Sequence, residues 1–326
     1  MSDTRTHVVA GVIVNERGQV LLSRRPPQAH QGDLWEFPGG KVEHGESAAQ
    51  ALRRELEEEL AIRPVGQRPL IQIAHDYPDR RVLLDVWRVD RFQGRRYEQR
   101  DTGSEGQPLR WVAPDDLAGY RFPAANRPVI TAARLPDRYL ITPEPGTDRE
   151  AFLQDIRRAL DTGVSLVRLR AWTLAPTAYL ELAGRVVELC HRYRARVLLS
   201  GRLPQIGTGL HDCAADGLHL NRQQLRQLER RPVSEEQWLA ASCHDGDELH
   251  RAQALGVDFV TLSPVLPTPS HADARPLGWQ RFGQLCARHG LPVYALGGVA
   301  QQQLMTAWQH GGQGIAGIRA FRPDRI

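Results

Sequence analysis

Glu55, Glu58 and Glu59 stand at i, i+3 and i+4, so on a helix their carboxylates share one face. A set of hard oxygen donors at that spacing suits Mg²⁺ or Mn²⁺. Glu46 precedes them, and Arg54 stands beside Glu55. A divalent ion held there would neutralise and orient the phosphates of a polyphosphate during hydrolysis. Crowded carboxylates also raise one another's proton affinity, so one can act as a base toward water. An acidic solvent-facing helix would carry similar glutamates, but the surrounding string sets this one apart. From Gly40 it runs one glycine, five residues, Glu46, seven residues, Arg54-Glu55-Leu56, one residue, Glu58-Glu59.

The elements that must position these groups are legible around them. Ser47 with Gln50 is a capping-box pair, so a helix starts near Ser47. Leu52, Leu56 and Leu60 give it a buried stripe. Gly39-Gly40 and Gly45 let the preceding loop turn tightly. Upstream, Thr6–Val14 alternates as a strand, Asn15–Gly18 is a turn, and Val20–Ser23 is expected to return as a hairpin arm. Leu70–His75, Val82–Val89 and Pro108–Val112 read as strands, and Pro128–Arg134 as a last helix. This pattern predicts an α+β sandwich with helices on a mixed sheet.

The string from Gly40 to Glu59 resembles the Nudix box, with Ala61 where that family has glycine. Residues Val8–Ala133 further resemble the MutT branch through SRRPPQAH, LWEFPGGK, EGQP and FPAANRPVI. That resemblance implies a nucleoside triphosphate pyrophosphohydrolase converting 8-oxo-dGTP to 8-oxo-dGMP and pyrophosphate, a nucleotide-pool sanitation activity. It implies Glu55, Glu58, Glu59 and Arg54 as the catalytic group, with Gly39, Gly40, Glu55, Glu58, Glu59 and Glu105 around a Mg²⁺ or Mn²⁺ cofactor. It places Arg25, His30 and Lys41 near the nucleotide, Phe37 on the base, and Asn126 on the oxidised purine edge. Phe37 offers a flat apolar face, and Asn126 can donate and accept in one plane.

After a Pro-containing stretch at Ala133–Asp137 the pattern changes. Eight short apolar runs follow: YLIT, SLVRL, RVLLS, GLHL, LAAS, FVTLS, PVYAL and GIAGI. With helical stretches between them they predict a (β/α)₈ TIM barrel. The expected domains are therefore residues 1–133 and 138–326.

The second half resembles the thiamine phosphate synthase/TenI family through RYLITP, VRLRAW, LLSGR, DGLHLNRQQL, SCHD, LSPVLPTPSH, ALGGV and GIAGIRAF. The resemblance implies a phosphate site at Thr268, Ser270, Gly297, Gly298, Ile318 and Arg319, and a phosphorylated thiazole-like ligand. His244 matches a histidine that TenI-type tautomerases use in proton transfer. The departures are specific. Ser200-Gly201 stands where synthases have Asn-Asp, Gln224 where an aspartate is expected, and Trp172 and His271 where lysines are expected. Without carboxylates, Mg²⁺ and a substrate pyrophosphate lose their charge partners. The expectation is a barrel without synthase activity, serving as a ligand-binding module or a TenI-like isomerase. The fusion also admits a thiamine-pathway diphosphate as the Nudix substrate.

Composition narrows the remaining classes. The 326 residues suit two domains, and 41% hydrophobic content supports two cores. A net charge of +4, with scattered arginine pairs such as Arg80-Arg81, suits small phosphorylated ligands and argues against polymeric nucleic acid. Among 42 basic residues Lys41 is the single lysine. No run is long enough to span a bilayer, and the N-terminus lacks a signal pattern. Cys190, Cys213, Cys243 and Cys286 lack zinc spacing and read as reduced cytoplasmic thiols. The oligomeric state is left open.

Overall fold

The computed structural model describes residues 5–95, 97, 101–202, 210–268 and 274–321. The chain divides into two compact units: Met1–Arg134 with Cys286–Gly290, and Leu135–Leu285 with Leu291–Ile326.

In the first unit, strands β1 (Thr6–Ile13), β4 (Ile62–Asp76) and β5 (Arg81–Gly94) form one sheet in the order β1-β5-β4. Strands β2 (Val20–Arg24), β3 (Trp35–Glu36) and β6 (Leu109–Val112) form a second, ordered β3-β2-β6. The expected β1–β2 hairpin is corrected. The Asn15 turn does form, its Oδ1 accepting from Arg17 N and Gln19 N at 2.9 Å each. Beyond it, only an isolated bridge joins Val14 to Val20. Strand β1 is apolar on both faces: Val9 and Ile13 enter one core cluster, Ala10 and Val12 another. Burial on both faces suits a parallel strand with a packed layer on each side, and β1 is such a strand although it stands at the edge of its sheet. It runs parallel to β5 from Thr6–Val82 to Ile13–Val89, leaving β2 to pair antiparallel with β6. Strands β4 and β5 also run several residues beyond the expected apolar runs, with irregularities around Gly66 and Pro69–Ile71.

Helix α1 (Ala48–Leu60) starts as expected, with Ser47 as N-cap and Gln50 completing the capping box. Its buried residues, Ala51, Leu52, Leu56 and Leu60, pack with Val9, Ile13, Leu21, Ile62 and Val89. Each buried leucine stabilises by about 1.5–3 kcal/mol. That anchoring fixes the flanking, carboxylate-bearing edge, where Glu55 and Glu59 are themselves partly buried. Ala61 ends the helix in the left-handed region at φ 48°. Helix α2 (Arg127–Arg134) closes this unit and buries Val129, Ala132 and Ala133.

The second unit is a closed eight-stranded parallel barrel, in the order β10-β11-β12-β13-β14-β7-β8-β9. Its strands are β7 (Arg138–Ile141), β8 (Leu166–Arg170), β9 (Arg196–Ser200), β10 (Gly217–Leu220), β11 (Trp238–Cys243), β12 (Phe259–Leu262), β13 (Val293–Ala295) and β14 (Gly314–Gly317). These are the eight apolar runs of the sequence. Helices α3 (Arg149–Asp161) and α4 (Pro176–Arg192) follow β7 and β8. Tyr139, Leu166, Leu198, Phe259, Tyr294 and Ala316 form a buried cluster.

Candidate functional site

The edge of α1 and the glycine loop before it lie in direct contact. Gly39 has φ 151°, and a Cβ there would collide with the Val9 carbonyl. A Cβ on Gly40 would overlap the Glu55 carboxylate. Only glycine at these positions lets the loop lie this close to the helix.

Arg54 organises the acidic groups. Its Nε and Nη2 bind Glu46 at 3.1 and 3.0 Å, its Nη1 binds Glu55 at 2.9 Å and Glu58 at 3.3 Å, and Nη2 also donates to the Lys41 carbonyl at 3.0 Å. Glu46 first, then Glu55, holds the guanidinium firmly protonated. Glu59 is different. Burial, then repulsion from Glu36, Glu55 and Glu105, pushes its carboxyl up to about 8, against a hydrogen bond from the Gly39 backbone. Among the described residues, no three His, Cys, Asp or Glu side chains stand ready-closed for a metal ion. The donor set nevertheless fits a hard divalent cation. It is all oxygen and it crowds negative charge around Glu59, while Arg54 pairs with Glu46, Glu55 and Glu58, and Arg25 with Glu36. Glu58 is the outlying member, with its side chain 60% exposed.

A cavity of about 490 Å³ opens beside this edge. Arg25, His30, Phe37, Gly39, Gly40, Lys41 and Asn126 all line it, so the residues that the sequence singled out converge. Arg25 donates from Nε to the His30 carbonyl at 2.9 Å, which ties the two together. Asn126 is 7% exposed and held in a short 3₁₀ turn, its N–H donating to the Pro123 carbonyl. Phe37 is more than a platform. It is only 3% exposed, belongs to the core, and stacks on Phe122 with ring centroids 5.4 Å apart. Glu105 is exposed and acts on Glu59 through space.

Three residues were missed. Glu36 pairs with Arg25, lines the cavity, and is raised by its own burial. Its only sequence signal is a carboxylate within the apolar string LWEFPGG. Tyr77 lies edge-on to His30 at 5.6 Å, and the Asp79 carboxylate lies 3.5 Å from His30 Nδ1. Neither had a local signal.

In the barrel, a second cavity of about 1040 Å³ is lined by Thr268, Gly297, Gly298, Ile318, Arg319 and His244, among others. Ser270 and His271 lie outside the described residues. Gly297 and Gly298 have φ 89° and 68°, and a Cβ on either would strike Pro264 or the Pro267 carbonyl. The turn therefore requires glycine, and it leaves backbone facing the cavity. His244 Nδ1 lies 2.9 Å from Glu248 Oε2, which also accepts the His244 backbone N–H. The replaced positions are filled by neutral partners. Gln224 Nε2 donates to the Gly201 carbonyl at 2.8 Å, and Ser200 is fully buried. Trp172 lines the cavity, with its backbone N–H on Glu144.

A family model for the NUDIX domain matches residues 9–132, and one for thiamine monophosphate synthase matches residues 138–321. The first part is 38% identical over 126 residues to an 8-oxo-dGTP diphosphatase of Escherichia coli, covering 39% of this chain and 94% of that protein. It is 36% identical over 124 residues to a CTP pyrophosphohydrolase of the same organism, covering 38% and 88%. The second part is 33% identical over 187 residues to a putative thiamine-phosphate synthase 2 of Aquifex aeolicus, covering 57% and 98%.

Proposed function

Since the chain belongs to the Nudix family through residues 9–132 and to the thiamine monophosphate synthase family through residues 138–321, we propose that its hydrolase domain converts 8-oxo-dGTP to 8-oxo-dGMP and pyrophosphate. The observation that carries this is the convergence of Arg25, His30, Phe37, Lys41 and Asn126 on one cavity that reaches Gly39-Gly40 and hence Glu55. Arg25 and Lys41 supply positive charge for the phosphates, and Asn126 supplies a planar donor and acceptor for the base.

Glu55 and Glu59, with Glu58, Glu105 and the Gly39-Gly40 backbone, are the groups that would hold Mg²⁺ or Mn²⁺. A bound ion there supplies charge neutralisation for the phosphates and an activated water. Arg54 keeps Glu55 and Glu58 in register with the glycine loop. Burial and the neighbouring carboxylates raise the Glu59 carboxyl in the metal-free protein, so a divalent cation bound there would relieve that repulsion.

A second reading, a hydrolase of an undamaged pyrimidine triphosphate, is favoured by the likeness to the CTP pyrophosphohydrolase. Separating the products formed from 8-oxo-dGTP and from CTP tests both. Release of pyrophosphate with 8-oxo-dGMP supports the first, and turnover confined to CTP supports the second.

The barrel binds a small phosphorylated, thiazole-like ligand at Thr268, Gly297, Gly298, Ile318 and Arg319, and does not make thiamine phosphate. The neutral groups at Ser200, Gly201 and Gln224 support this, because a pyrophosphate leaving group needs a metal counter-charge. His244, held by Glu248, supports an isomerase as the alternative. Thiamine phosphate formed by the full chain at an ordinary enzymatic rate would overturn this part. No described helix is long and apolar enough to cross a membrane, and four free thiols fit a cytoplasmic setting.

A further inference from the structure

The β3-β2-β6 sheet carries a cluster of arginines and aromatic rings that the readings above leave unused. Arg24 stands opposite Trp35 in the ladder, and Arg110 stands opposite Leu22. Leu22 and Arg24 are two residues apart on β2, so Arg24, Trp35 and Arg110 share one face of the sheet. Tyr120 joins them from the end of the turn Pro114–Gly119. The next carbonyl, that of Arg121, accepts the Trp35 N–H at 2.8 Å and ties this segment to β3. Arg24, Asp33, Trp35, Arg110, Tyr120 and Arg121 line one depression. It shares no lining residue with the cavity around Asn126, although Arg25 and Glu36, each one residue further along, line that cavity.

The rings hold Arg110 without using its hydrogen bonds. Trp35 and Tyr120 meet edge to face with centroids 5.5 Å apart. The Arg110 guanidinium carbon lies 5.3 Å from the Trp35 centroid and 5.9 Å from that of Tyr120. Such contact orients the guanidinium and leaves its in-plane N–H donors uncommitted. No described carboxylate lies within ion-pair distance of Arg110 or Arg121. Asp33 is the one acidic residue lining the depression, and it is paired with Arg24 at 3.4 Å. Three guanidinium groups thus face one carboxylate. Trp35 and Tyr120 pack against the core but are only partly buried, so apolar ring surface remains beside the cations.

We propose that this depression is a second nucleotide site, holding a nucleoside phosphate with its phosphate on Arg110 and Arg121 and its base against Trp35 and Tyr120. The excess of arginine selects an anion, and a guanidinium already oriented on a ring presents paired N–H groups to phosphate oxygens. The ring surface adds a contact that inorganic phosphate or an acidic side chain would not use. A single depression with three arginines suits one nucleotide, whereas a strand needs a run of phosphate contacts. The proposal does not depend on which nucleotide is hydrolysed.

Photolabelling of the full chain in EDTA with 8-azidoadenosine 5′-monophosphate, mapped to single residues by mass spectrometry, tests this. The label should fall saturably on Trp35 or Tyr120. AMP should displace it at least about tenfold better than adenosine, inorganic phosphate or poly-glutamate. Arg110→Gln should raise the AMP concentration needed for displacement about tenfold, and Arg121→Gln serves if that variant does not fold. Asn126→Ala should leave this label unchanged, because Asn126 lines the other cavity. Label that is absent, or confined to residues around Asn126 or Gly297, would overturn the proposal. So would displacement by adenosine as good as by AMP, or unchanged displacement in the folded arginine variants. Poly-glutamate acting as well as AMP would make the patch an acidic-protein surface and overturn the nucleotide. Oligo(dA) acting at least about tenfold better than AMP per nucleotide would make it a single-strand surface and overturn the one-nucleotide site.

Discussion

Gly40 and Glu55 touch so closely that a methyl group at position 40 would overlap the Glu55 carboxylate. The glycine is thus part of the acidic site, because it sets where the carboxylate sits. Gly40→Ala meets the far end of a side chain, which can swing aside. The fold should therefore survive, with a loss of about 1 kcal/mol or less. Turnover should fall at least about tenfold as Glu55 is displaced. Urea unfolding and kcat/KM measured together check this, and unchanged turnover would separate Glu55 from the chemistry.

Glu59 and Glu58 should respond unequally. Glu59 is buried among Glu36, Glu55 and Glu105, whereas Glu58 is largely exposed and tied to Arg54. Glu59→Gln should lower kcat at least about a hundredfold, and Glu58→Gln by less. Glu59→Gln also removes one of several mutually repelling carboxylates, so the metal-free protein should be no less stable. Stopped-time assays with a thermal melt of each variant test both statements.

Ala61 ends α1 at φ 48°, a conformation that costs a residue bearing a Cβ. Ala61→Gly should stabilise the protein by roughly 0.5–1 kcal/mol, after the greater freedom of glycine in the unfolded chain is allowed for. Glu55, Glu58 and Glu59 lie earlier on the helix, so turnover should not change. A lower urea midpoint for Ala61→Gly would contradict this.

His219 makes barrel stability depend on pH. It is fully buried, with Nδ1 2.9 Å from Tyr139 Oη and Nε2 2.9 Å from Ser242 Oγ. Burial, then the charge of Arg168, holds its pKa well below the usual 6.5. The folded imidazole therefore stays neutral while an unfolded one takes a proton. Its contribution is flat above pH 6.5, and stability is lost as pH falls below that value. The slope is at most about 1.4 kcal/mol per pH unit. His219→Gln should show a shallower loss between pH 6.5 and 5 in urea unfolding. Equal slopes would mean that His219 is protonated in the fold.

What the sequence made legible was local. The Ser47–Gln50 capping box and the leucine stripe are short-range features, and α1 formed where they indicated. The eight barrel strands were legible because each is a compact apolar run between turns. The β1–β2 hairpin failed because strand partnership is a long-range choice: β1 has each face buried in a different core cluster and pairs along its edge with β5. Glu36 and Arg168 escaped notice for the same reason. A charged residue inside an apolar string looks solvent-facing until tertiary contacts supply Arg25 to one and two serines to the other.

The identity of the nucleotide rests on Asn126 and its cavity. The most direct measurement is kcat/KM of the full chain with Mg²⁺ for 8-oxo-dGTP, dGTP, CTP and a thiamine-pathway diphosphate, repeated with Asn126→Ala. The account predicts that 8-oxo-dGTP is preferred over dGTP. Asn126→Ala should reduce that preference by roughly 1–3 kcal/mol, or about 5- to 150-fold, while changing dGTP much less. Equal kcat/KM for 8-oxo-dGTP and dGTP, or a higher value for CTP or the thiamine-pathway diphosphate, would contradict it.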